Sequence, residues 1–386
     1  MSSIPVFVGL DYHQGSIQVC VLDRDGQQLA NRGLVNDARA VAEFVRRHGH
    51  AVRVAVEACC GAADLAEELC VSQQLPVELA HPGYVARMKR SADKTDFGDA
   101  GLLADLARVN YLPKVWLAPA ATRELRRLVR HRAQLVARRK DAKLRVRGLL
   151  RENRLRCEDA RAWSKAWIRW VQVLAPLSDN DRFIANDHLA EIAALQGRIE
   201  ACQRRIKAVT AGDPLMAKLM TLPQVALVTA ATIRAEVGRV DRFDSGKQLA
   251  RFCGVTPRNA SSGQRQADAG LIKAGNPELR KVLIELAHRL IFRLDSHWAK
   301  LAYGMLNRGK PKNVVVAAVA NRWVRWLFHE LKRPSGDLRT SSTEGGPPLP
   351  PPPTPRPGRV KAEARAKAEG AHRTRRKERM PQPSVS

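Results

Sequence analysis

The order of predicted elements in the first third of the chain constrains its fold most strongly. Three strand-like runs come first, at residues 6–10, 17–23 and 28–35, and an Asp25-Gly26 turn signal joins the second run to the third. Patterns typical of helix, strand, helix, strand and helix then follow in turn up to about residue 112. This order predicts an α/β domain over residues 1–112.

Three strands joined by tight turns, followed by alternating helices and strands, is the element order of an RNase H-like fold. The later strands are predicted at residues 52–56 and 76–80. Helices are predicted to begin after Asp37, to run over 62–74 and to run over about 95–110.

Residues 113–215 are predicted to form long helices. From residue 192 to 209, apolar residues recur in alternating steps of three and four, which is typical of a coiled-coil seam. The seam comprises Ile192, Leu195, Ile199, Cys202, Ile206 and Val209. Two interpretations stay open: a coiled coil that joins two subunits, or an antiparallel helical hairpin packed within its own domain.

Positive charge is concentrated in this helical region. The chain has 66 Lys and Arg against 38 Asp and Glu, a formal charge of +28. Residues 123–156 alone contain 14 basic and 3 acidic side chains. Such a helix repels itself unless polyanions lie beside it, so the charge favours nucleic acid as the partner and disfavours a small-molecule enzyme with a neutral surface.

The remaining chain divides into two parts. Residues 216–335 are predicted to be mostly helical, with helices at 225–237, 277–292 and 312–331 and a Gly- and Ser-rich loop at 254–263. Residues 336–386 are predicted to form a disordered, Pro-rich basic tail, since 11 of the 22 prolines lie beyond Lys332. The chain has no apolar run of about 18 residues and no C-x-x-C pair among its seven cysteines, which favours a reducing cytoplasm.

Four carboxylates are candidates for metal binding. Asp11 and Glu57 end two predicted strands, and Asp96 and Asp99 are spaced to share one face of a helix. Such a set can hold two divalent cations that assist phosphoryl transfer, and Mg²⁺ suits oxygen ligands. The alternative is that the aspartates are turn residues or acids in the first turn of a helix.

Ser262 and His13 are further candidates. Ser262 lies in the Gly- and Ser-rich loop, where nearby basic residues could bind a phosphate around it, although its neighbours also fit a simple turn. His13 follows Asp11 closely and could approach the carboxylates or lie in solvent. The segment around Asp11 lacks the glycine-rich phosphate loop of sugar kinases, so a kinase is disfavoured.

Several motifs occur in a fixed order between about residues 5 and 332. They are Val8-Gly9-Leu10-Asp11, Val56-Glu57-Ala58-Cys59-Cys60-Gly61, Lys94-Thr95-Asp96-Phe97-Gly98-Asp99-Ala100, Phe252-Cys253-Gly254-Val255-Thr256-Pro257-Arg258, Ser262-Gly263, Ile272-Lys273-Ala274-Gly275 and Leu279-Arg280. With these motifs the chain resembles the DEDD-type insertion-sequence transposases of the IS110 family, which are relatives of the pilin-gene invertases.

The resemblance implies a RuvC-like RNase H domain and a C-terminal transposase domain that together cut and rejoin DNA. It implies that the four carboxylates bind Mg²⁺, that Ser262 is the nucleophile, that a structured guide RNA pairs with donor and target DNA, and that the protein is a homo-oligomer, a dimer or a tetramer. Two alternatives stay open: a plain RuvC-like junction nuclease, and a non-catalytic nucleic-acid-binding relative of transposases.

The basic side chains predicted to contact nucleic acid lie in the long helix and in the family motifs. They are Lys94, Arg126, Arg127, Arg130, Arg138, Arg139, Lys140, Arg258, Arg265, Lys273 and Arg280. The chain departs from the family where a glycine-containing turn resembling a helix-hairpin-helix is expected, since it reads Leu222-Pro223-Gln224-Val225-Ala226. Without glycines we expect the backbone amides of this turn to be rearranged.

Overall fold

A six-stranded mixed sheet organises the N-terminal region of the protein, whose computed structural model describes residues 4–89, 95–259 and 268–333. The strand order is β3-β2-β1-β4-β5-β6, with β1 antiparallel to β2 and parallel to β4. The strands are β1 (Pro5–Tyr12), β2 (Ser16–Leu22), β3 (Gln28–Val35), β4 (His50–Glu57), β5 (Val77–Ala80) and β6 (Lys114–Val115).

Helices cover both faces of the sheet because its central strands are apolar on both sides. Val54 and Val56 share a core with helices on one face, whereas Ala55 between them packs on the other face. The first face carries α1 (Ala38–His48) and α2 (Ala62–Val71), and the second carries α4 (Asp96–Arg108), while α3 (Pro82–Met88) follows β5.

The predicted α/β domain is confirmed as a mixed sheet with helices. The five predicted strands and three predicted helices all occur within a few residues of their expected positions. The short helix α3 and the two-residue strand β6 were not predicted. Neither is long enough to show a hydrophobic period, and β6 exists because Lys114 and Val115 pair with β5.

The basic region contains two long helices that pack on each other, α5 (Ala120–Glu152) and α7 (Asp179–Val209). Between them lie α6 (Lys165–Arg169) and a π-helical turn, Trp170–Leu174. Within the chain, Leu195 and Ile199 of the predicted seam contact Leu135 of α5. The seam therefore takes part in a helical hairpin, and a second copy of the chain is not needed to bury these residues.

The last described region is helical apart from a two-stranded hairpin. Its core surrounds the fully buried Trp323. The elements are α8 (Pro214–Met220), α9 (Leu227–Val237), α10 (Gly246–Phe252), β7 (Pro257–Asn259), β8 (Asp268–Leu271), α11 (Pro277–Phe292), α12 (His297–Asn307) and α13 (Lys312–Lys332).

One sequence prediction in this region is wrong in part. The predicted loop at 254–263 contains a strand, β7, in which Pro257 pairs with Leu271 of β8. Composition indicated a loop because Pro, Gly and Ser disfavour strands, but pairing with a segment more than ten residues away supplied the missing hydrogen bonds. The predicted tail, residues 336–386, lies outside the described residues.

The domain boundaries predicted after residues 112, 215 and 335 stay predictions. Across the described ranges, no helix combines the length and hydropathy that crossing a membrane requires.

Candidate active site

Asp11 lies near the end of the central strand β1, where its backbone pairs with Gln18. Its side chain is 17% exposed. One carboxylate oxygen, Oδ2, is buried and has no hydrogen-bond partner among the described residues. An ionised carboxylate normally has its oxygens satisfied, so this oxygen is able to accept a donor or to bind a cation.

His13 lies between Asp11 and Asp96. Its Nε2 atom is 3.4 Å from Asp11 Oδ2 and 3.3 Å from Asp96 Oδ2. One ligand atom from each of these three residues lies within 4.8 Å of the others, so the group could hold a metal ion. The sequence left open whether His13 approaches the carboxylates or lies in solvent, and in the structure its ring lies beside them while 44% of the side chain stays exposed.

Asp96 and Asp99 lie in the first turn of α4, as their spacing predicts. The helix begins at Thr95, whose hydroxyl accepts a hydrogen bond from the Gly98 backbone at 3.1 Å. Gly9 of β1 lets α4 approach the sheet, since a Cβ atom there would lie 2.0 Å from the Ala100 carbonyl oxygen. Close packing of helix on strand therefore brings both aspartates to the Asp11 end of the sheet.

Asp99 has a partner within the chain. The Lys89 ammonium group donates to it and lies 2.6 Å from Oδ1 and 2.7 Å from Oδ2. The Asp99 side chain is 13% exposed and that of Lys89 is 25% exposed. Lys89 was not identified from the sequence, because nothing in the spacing of a lysine ten residues before an aspartate indicates a contact.

The register between β1 and β4 brings Glu57 to the same end of the sheet as Asp11. It is the last residue of β4, and its neighbour Val56 is paired with Leu10 of β1. Because β1 and β4 are parallel, Glu57 and Asp11 end adjacent strands at the same edge. The four predicted carboxylates therefore belong to one region of the structure.

Burial raises the pKa of Asp11 above its usual value. The positive field of His13 opposes this shift, whereas the negative charges of Asp96 and Asp99 add to it. A divalent cation bound to Oδ2 would stabilise the ionised form. The donor set and its electrostatics thus fit a metal ion.

Ser262 lies outside the described residues, as do Lys94 and Arg265. Along the chain, Ser262 falls between β7 and β8, which pair at Asn259 and Asp268. The roles predicted for these three residues therefore stay predictions.

Arg280 holds the base of this hairpin. Its guanidinium group donates to the carbonyl oxygens of Gly254 at 2.9 Å and Ile272 at 2.8 Å, and also to those of Lys273 at 3.3 Å and Gly275 at 3.2 Å. These contacts use the donors that we predicted would face nucleic acid. The structure thus gives Arg280 a positioning role near the hairpin, while its binding to nucleic acid stays a prediction.

Two further predicted contact residues, Arg126 and Arg130, are engaged with the buried Glu236. Arg130 binds both oxygens of Glu236, at 2.7 and 2.9 Å, and Arg126 donates to the Ala235 carbonyl oxygen and lies 3.5 Å from Glu236. Asn276 donates to Glu236 at 2.7 Å. Glu236 is only 2% exposed. These contacts connect α5 to α9 and to the start of α11. The sequence did not indicate the pair of Arg130 and Glu236, because the two residues are 106 positions apart.

The other predicted nucleic-acid contacts differ in their surroundings. Arg139 donates to Gln196, and Arg138 lies 4.0 Å from Glu191. The remaining described members of the set are exposed at the surface: Arg127, Lys140, Arg258 and Lys273.

The turn before α9 keeps a conformation that glycine usually provides. Gln224 has a φ of 62°, in the left-handed region, and its carbonyl oxygen accepts a hydrogen bond from Arg289 at 3.3 Å. The prediction that the backbone amides of this turn are rearranged without glycines stays a prediction. Gln224 adopts the left-handed conformation without being a glycine, and α9 begins two residues later than expected, at Leu227.

Two family models match the chain. One, described as "Transposase" and built on the DEDD domain of IS110 elements, matches residues 8–154. The second, described as "Transposase IS116/IS110/IS902 family", matches residues 216–303. The first match spans the sheet, the carboxylates and α5, and the second spans the hairpin and its surroundings.

Curated relatives match over most of their length. A "Probable family 20 transposase" from Pseudomonas aeruginosa is 29% identical over 84% of this chain and 96% of the relative. The "Transposase for insertion sequence element IS1111A" from Coxiella burnetii is 25% identical over 83% and 88%. An "Insertion element IS110 uncharacterized 43.6 kDa protein" from Streptomyces coelicolor is 26% identical over 85% and 94%.

Proposed function

Because this chain belongs to the IS110 family of transposases, we propose that it cuts and rejoins DNA strands with a divalent-metal centre and a serine nucleophile. The observation that carries this proposal is the convergence of Asp11, His13 and Asp96, whose ligand atoms lie within 4.8 Å of one another where β1 ends beside β4 and Glu57. Glu78 and Glu330 also have one buried oxygen without a hydrogen bond, but each is paired with a Lys or Arg of the chain, whereas the carboxylates of Asp96 and Asp99 lie near Asp11.

Asp11, Glu57, Asp96 and Asp99 would hold Mg²⁺, with two ions at full occupancy. When bound, the ions neutralise charge that develops on the phosphate during strand cleavage. The position of the carboxylates, at the ends of β1 and β4 and on α4, and a sheet order that starts with three antiparallel strands support a RuvC-like RNase H fold.

Ser262 would be the nucleophile. Its hydroxyl oxygen would lose a proton and form a bond to the phosphorus atom of a DNA phosphodiester. At the same time the P–O bond to one deoxyribose would break, and the released oxygen would take up a proton to become a hydroxyl group. The phosphoserine bond would retain the energy needed to reseal a strand by the reverse step. Arg280 supports this role, since it stabilises the base of the hairpin whose strands flank Ser262.

DNA as substrate and a structured guide RNA as partner agree with the charge of +28. Only 5% of the residues are aromatic, which favours contacts to phosphates and to helix shape over base stacking. We propose that the protein acts on DNA in the cytoplasm, at the nucleoid.

A homo-oligomer, a dimer or a tetramer, is part of the proposal because the family resemblance implies a composite site. Large apolar side chains are exposed where the π-helical turn meets the start of α7. These are Val173, Leu174, Phe183 and Ile184. They offer a surface on which a second copy of the chain could pack.

The test is a search for a covalent protein–DNA adduct on donor DNA, with Ser262→Ala and the adjacent Ser261→Ala as a matched control. We expect Ser262→Ala to lose the adduct and strand exchange, and Ser261→Ala to keep both. Cleavage that survives intact in Ser262→Ala would favour the junction nuclease. If Asp11→Asn leaves every activity unchanged, the non-catalytic alternative is correct.

A further inference from the structure

The imidazole ring of His13 lies directly between two carboxylates of the candidate active site. Its Nε2 atom is within 3.4 Å of Asp11 Oδ2 and within 3.3 Å of Asp96 Oδ2, and the ring is 44% exposed. In the motif pattern that identified the metal-binding residues, only the carboxylates were assigned a role. The structure adds a nitrogen donor to the same cluster.

We propose that Asp11, His13 and Asp96 form a mixed oxygen and nitrogen site that binds Mn²⁺ more tightly than Mg²⁺. This inference rests on the proposed function, because it assumes that a cation binds at the carboxylates. It goes further by making His13 a metal ligand and by assigning the site a preference among cations.

The distances agree with three ligands on one ion. Neighbouring ligands of an octahedral ion with bonds of about 2.1 Å are about 3.0 Å apart. The two separations involving His13, 3.4 and 3.3 Å, are slightly longer than this value. A small movement of side chains would bring all three donor atoms to bonding distance.

The backbone holds His13 in this position. Its N–H group donates to the Ser16 carbonyl oxygen at 2.9 Å, which closes the turn between β1 and β2. The Asn36 side chain donates to the carbonyl oxygens of His13 and Gln14, both at 3.1 Å. The ring is therefore carried by a turn with fixed hydrogen bonds, next to the strand that holds Asp11.

Asp99 is engaged elsewhere. Both of its oxygens lie against the Lys89 ammonium group. Within the group of Asp11, His13, Asp96 and Asp99, the donors that remain for a first ion are two carboxylates and one imidazole, because Lys89 already pairs with Asp99. A second ion would have to displace this lysine.

The chemistry of the donors sets the preference. Mg²⁺ favours sites made of oxygen and gives up its water ligands reluctantly. Imidazole favours transition-metal ions, and carboxylates accept Mn²⁺ as readily as Mg²⁺. A site with one imidazole and two carboxylates therefore favours Mn²⁺ over Mg²⁺.

The main competing role for His13 is that of a counter-ion. A protonated imidazole between two carboxylates would compete with a metal ion, so its removal would strengthen metal binding. A ligand has the opposite effect, since its removal weakens metal binding. The two roles are separated by the sign of the change in affinity.

The experiment is a titration of the full-length protein with Mn²⁺, followed by electron paramagnetic resonance. Pulsed measurements would report nitrogen coupled to the bound ion. We expect nitrogen coupling in the unchanged protein, and its loss in His13→Asn together with an at least tenfold weaker affinity, about the effect of disturbing a metal site. His13→Gln serves as a second variant.

His50→Asn is the matched control, since His50 is exposed at the opposite end of the neighbouring strand β4. It should keep both the affinity and the nitrogen signal. Circular dichroism would show that each variant is folded. Competition with Mg²⁺ should need a clear excess of Mg²⁺ to displace Mn²⁺ from the unchanged protein.

Asp11→Asn distinguishes a failure of the proposed metal centre from a failure of the proposed His13 ligand. If Asp11→Asn loses Mn²⁺ binding while His13→Asn keeps its affinity and nitrogen signal, His13 is not a ligand and the carboxylate centre stands. Stronger binding in His13→Asn would also overturn the ligand role. Unchanged binding in Asp11→Asn would overturn the metal centre itself.

Discussion

Two carboxylates of this protein, Glu236 and Asp11, lie in surroundings that differ in one respect. Glu236 is almost fully buried, and its oxygens receive hydrogen bonds from Arg130 and Asn276 while Arg126 lies close by. Asp11 is also largely buried, yet within the described residues its Oδ2 atom has His13 Nε2 only at a long 3.4 Å, and its neighbours include Asp96 and Asp99.

This difference separates a carboxylate that stabilises the fold from one that is available for chemistry. Arg130 of α5 and Asn276, the residue that caps α11, donate hydrogen bonds to Glu236, so the charge of this carboxylate is balanced within the chain. At Asp11 the described residues gather three aspartates, compensated there by His13 and by Lys89 on Asp99, and this excess of negative charge favours a cation.

The largest effect on activity is expected from a substitution at Asp11. Asp11→Asn should lower strand exchange on donor DNA at least about a thousandfold, since a metal site contributes several kcal/mol to stabilising the transition state. The measurement is the rate of strand exchange at saturating Mg²⁺. Activity within tenfold of the unchanged protein would show that Asp11 does not belong to the catalytic centre.

The stability of the same variant is its control. Because burial raises the folded pKa of Asp11, the ionised group destabilises the fold at neutral pH, and this loss sets in as pH rises through the folded pKa. Asp11→Asn should therefore be as stable as the unchanged protein below pH 3.8 and at least as stable at pH 7, as measured by denaturant titration.

At Glu236 the expected effect is on stability. Glu236→Ala should lower the free energy of unfolding by about 2–3 kcal/mol, less than for a fully buried pair because Arg130 is half-exposed. Urea titration measures the change. The control is Glu43→Ala, which removes the exposed pair with Arg39 and should cost less than about 0.5 kcal/mol. Equal effects in the two variants would contradict the distinction drawn for Glu236.

Arg280 is a second residue whose polar group is engaged within the chain, by backbone carbonyl oxygens. Arg280→Ala should destabilise the hairpin locally by about 1–2 kcal/mol, since a charged donor to carbonyl oxygens is lost. Hydrogen exchange of the β7 and β8 amides should then speed up about tenfold or more. If the exchange rates stay the same and the salt dependence of DNA binding falls by about one counterion, Arg280 contacts phosphate instead.

The smallest effect concerns the turn that leads into α9, the helix that carries Glu236. Gln224→Gly should raise the free energy of unfolding by up to about 1 kcal/mol, because glycine adopts the left-handed conformation at less cost. Gln134→Gly, at an exposed position within α5, should lower it by about 1 kcal/mol. Two changes of the same sign would show that the turn is unstrained.

Much of the N-terminal fold could be predicted from the sequence. The strands and helices around Asp11, Glu57 and Asp96 occur where their hydrophobic periods and turn residues indicate. The predicted carboxylates also share one edge of the sheet, since parallel strands end together. The hairpin at Pro257 was missed because short paired strands depend on a partner segment more than on their own composition.

The sequence by itself determined the element order, the concentration of positive charge, the family motifs and the set of four carboxylates. Only the tertiary structure decided which charges meet. Lys89 forms an ion pair with Asp99, and Arg130 forms one with Glu236. His13 lies between Asp11 and Asp96. The physical reason is range: hydrogen bonds and hydrophobic periods within an element act over a few residues, whereas a contact across 106 residues depends on how complete elements pack.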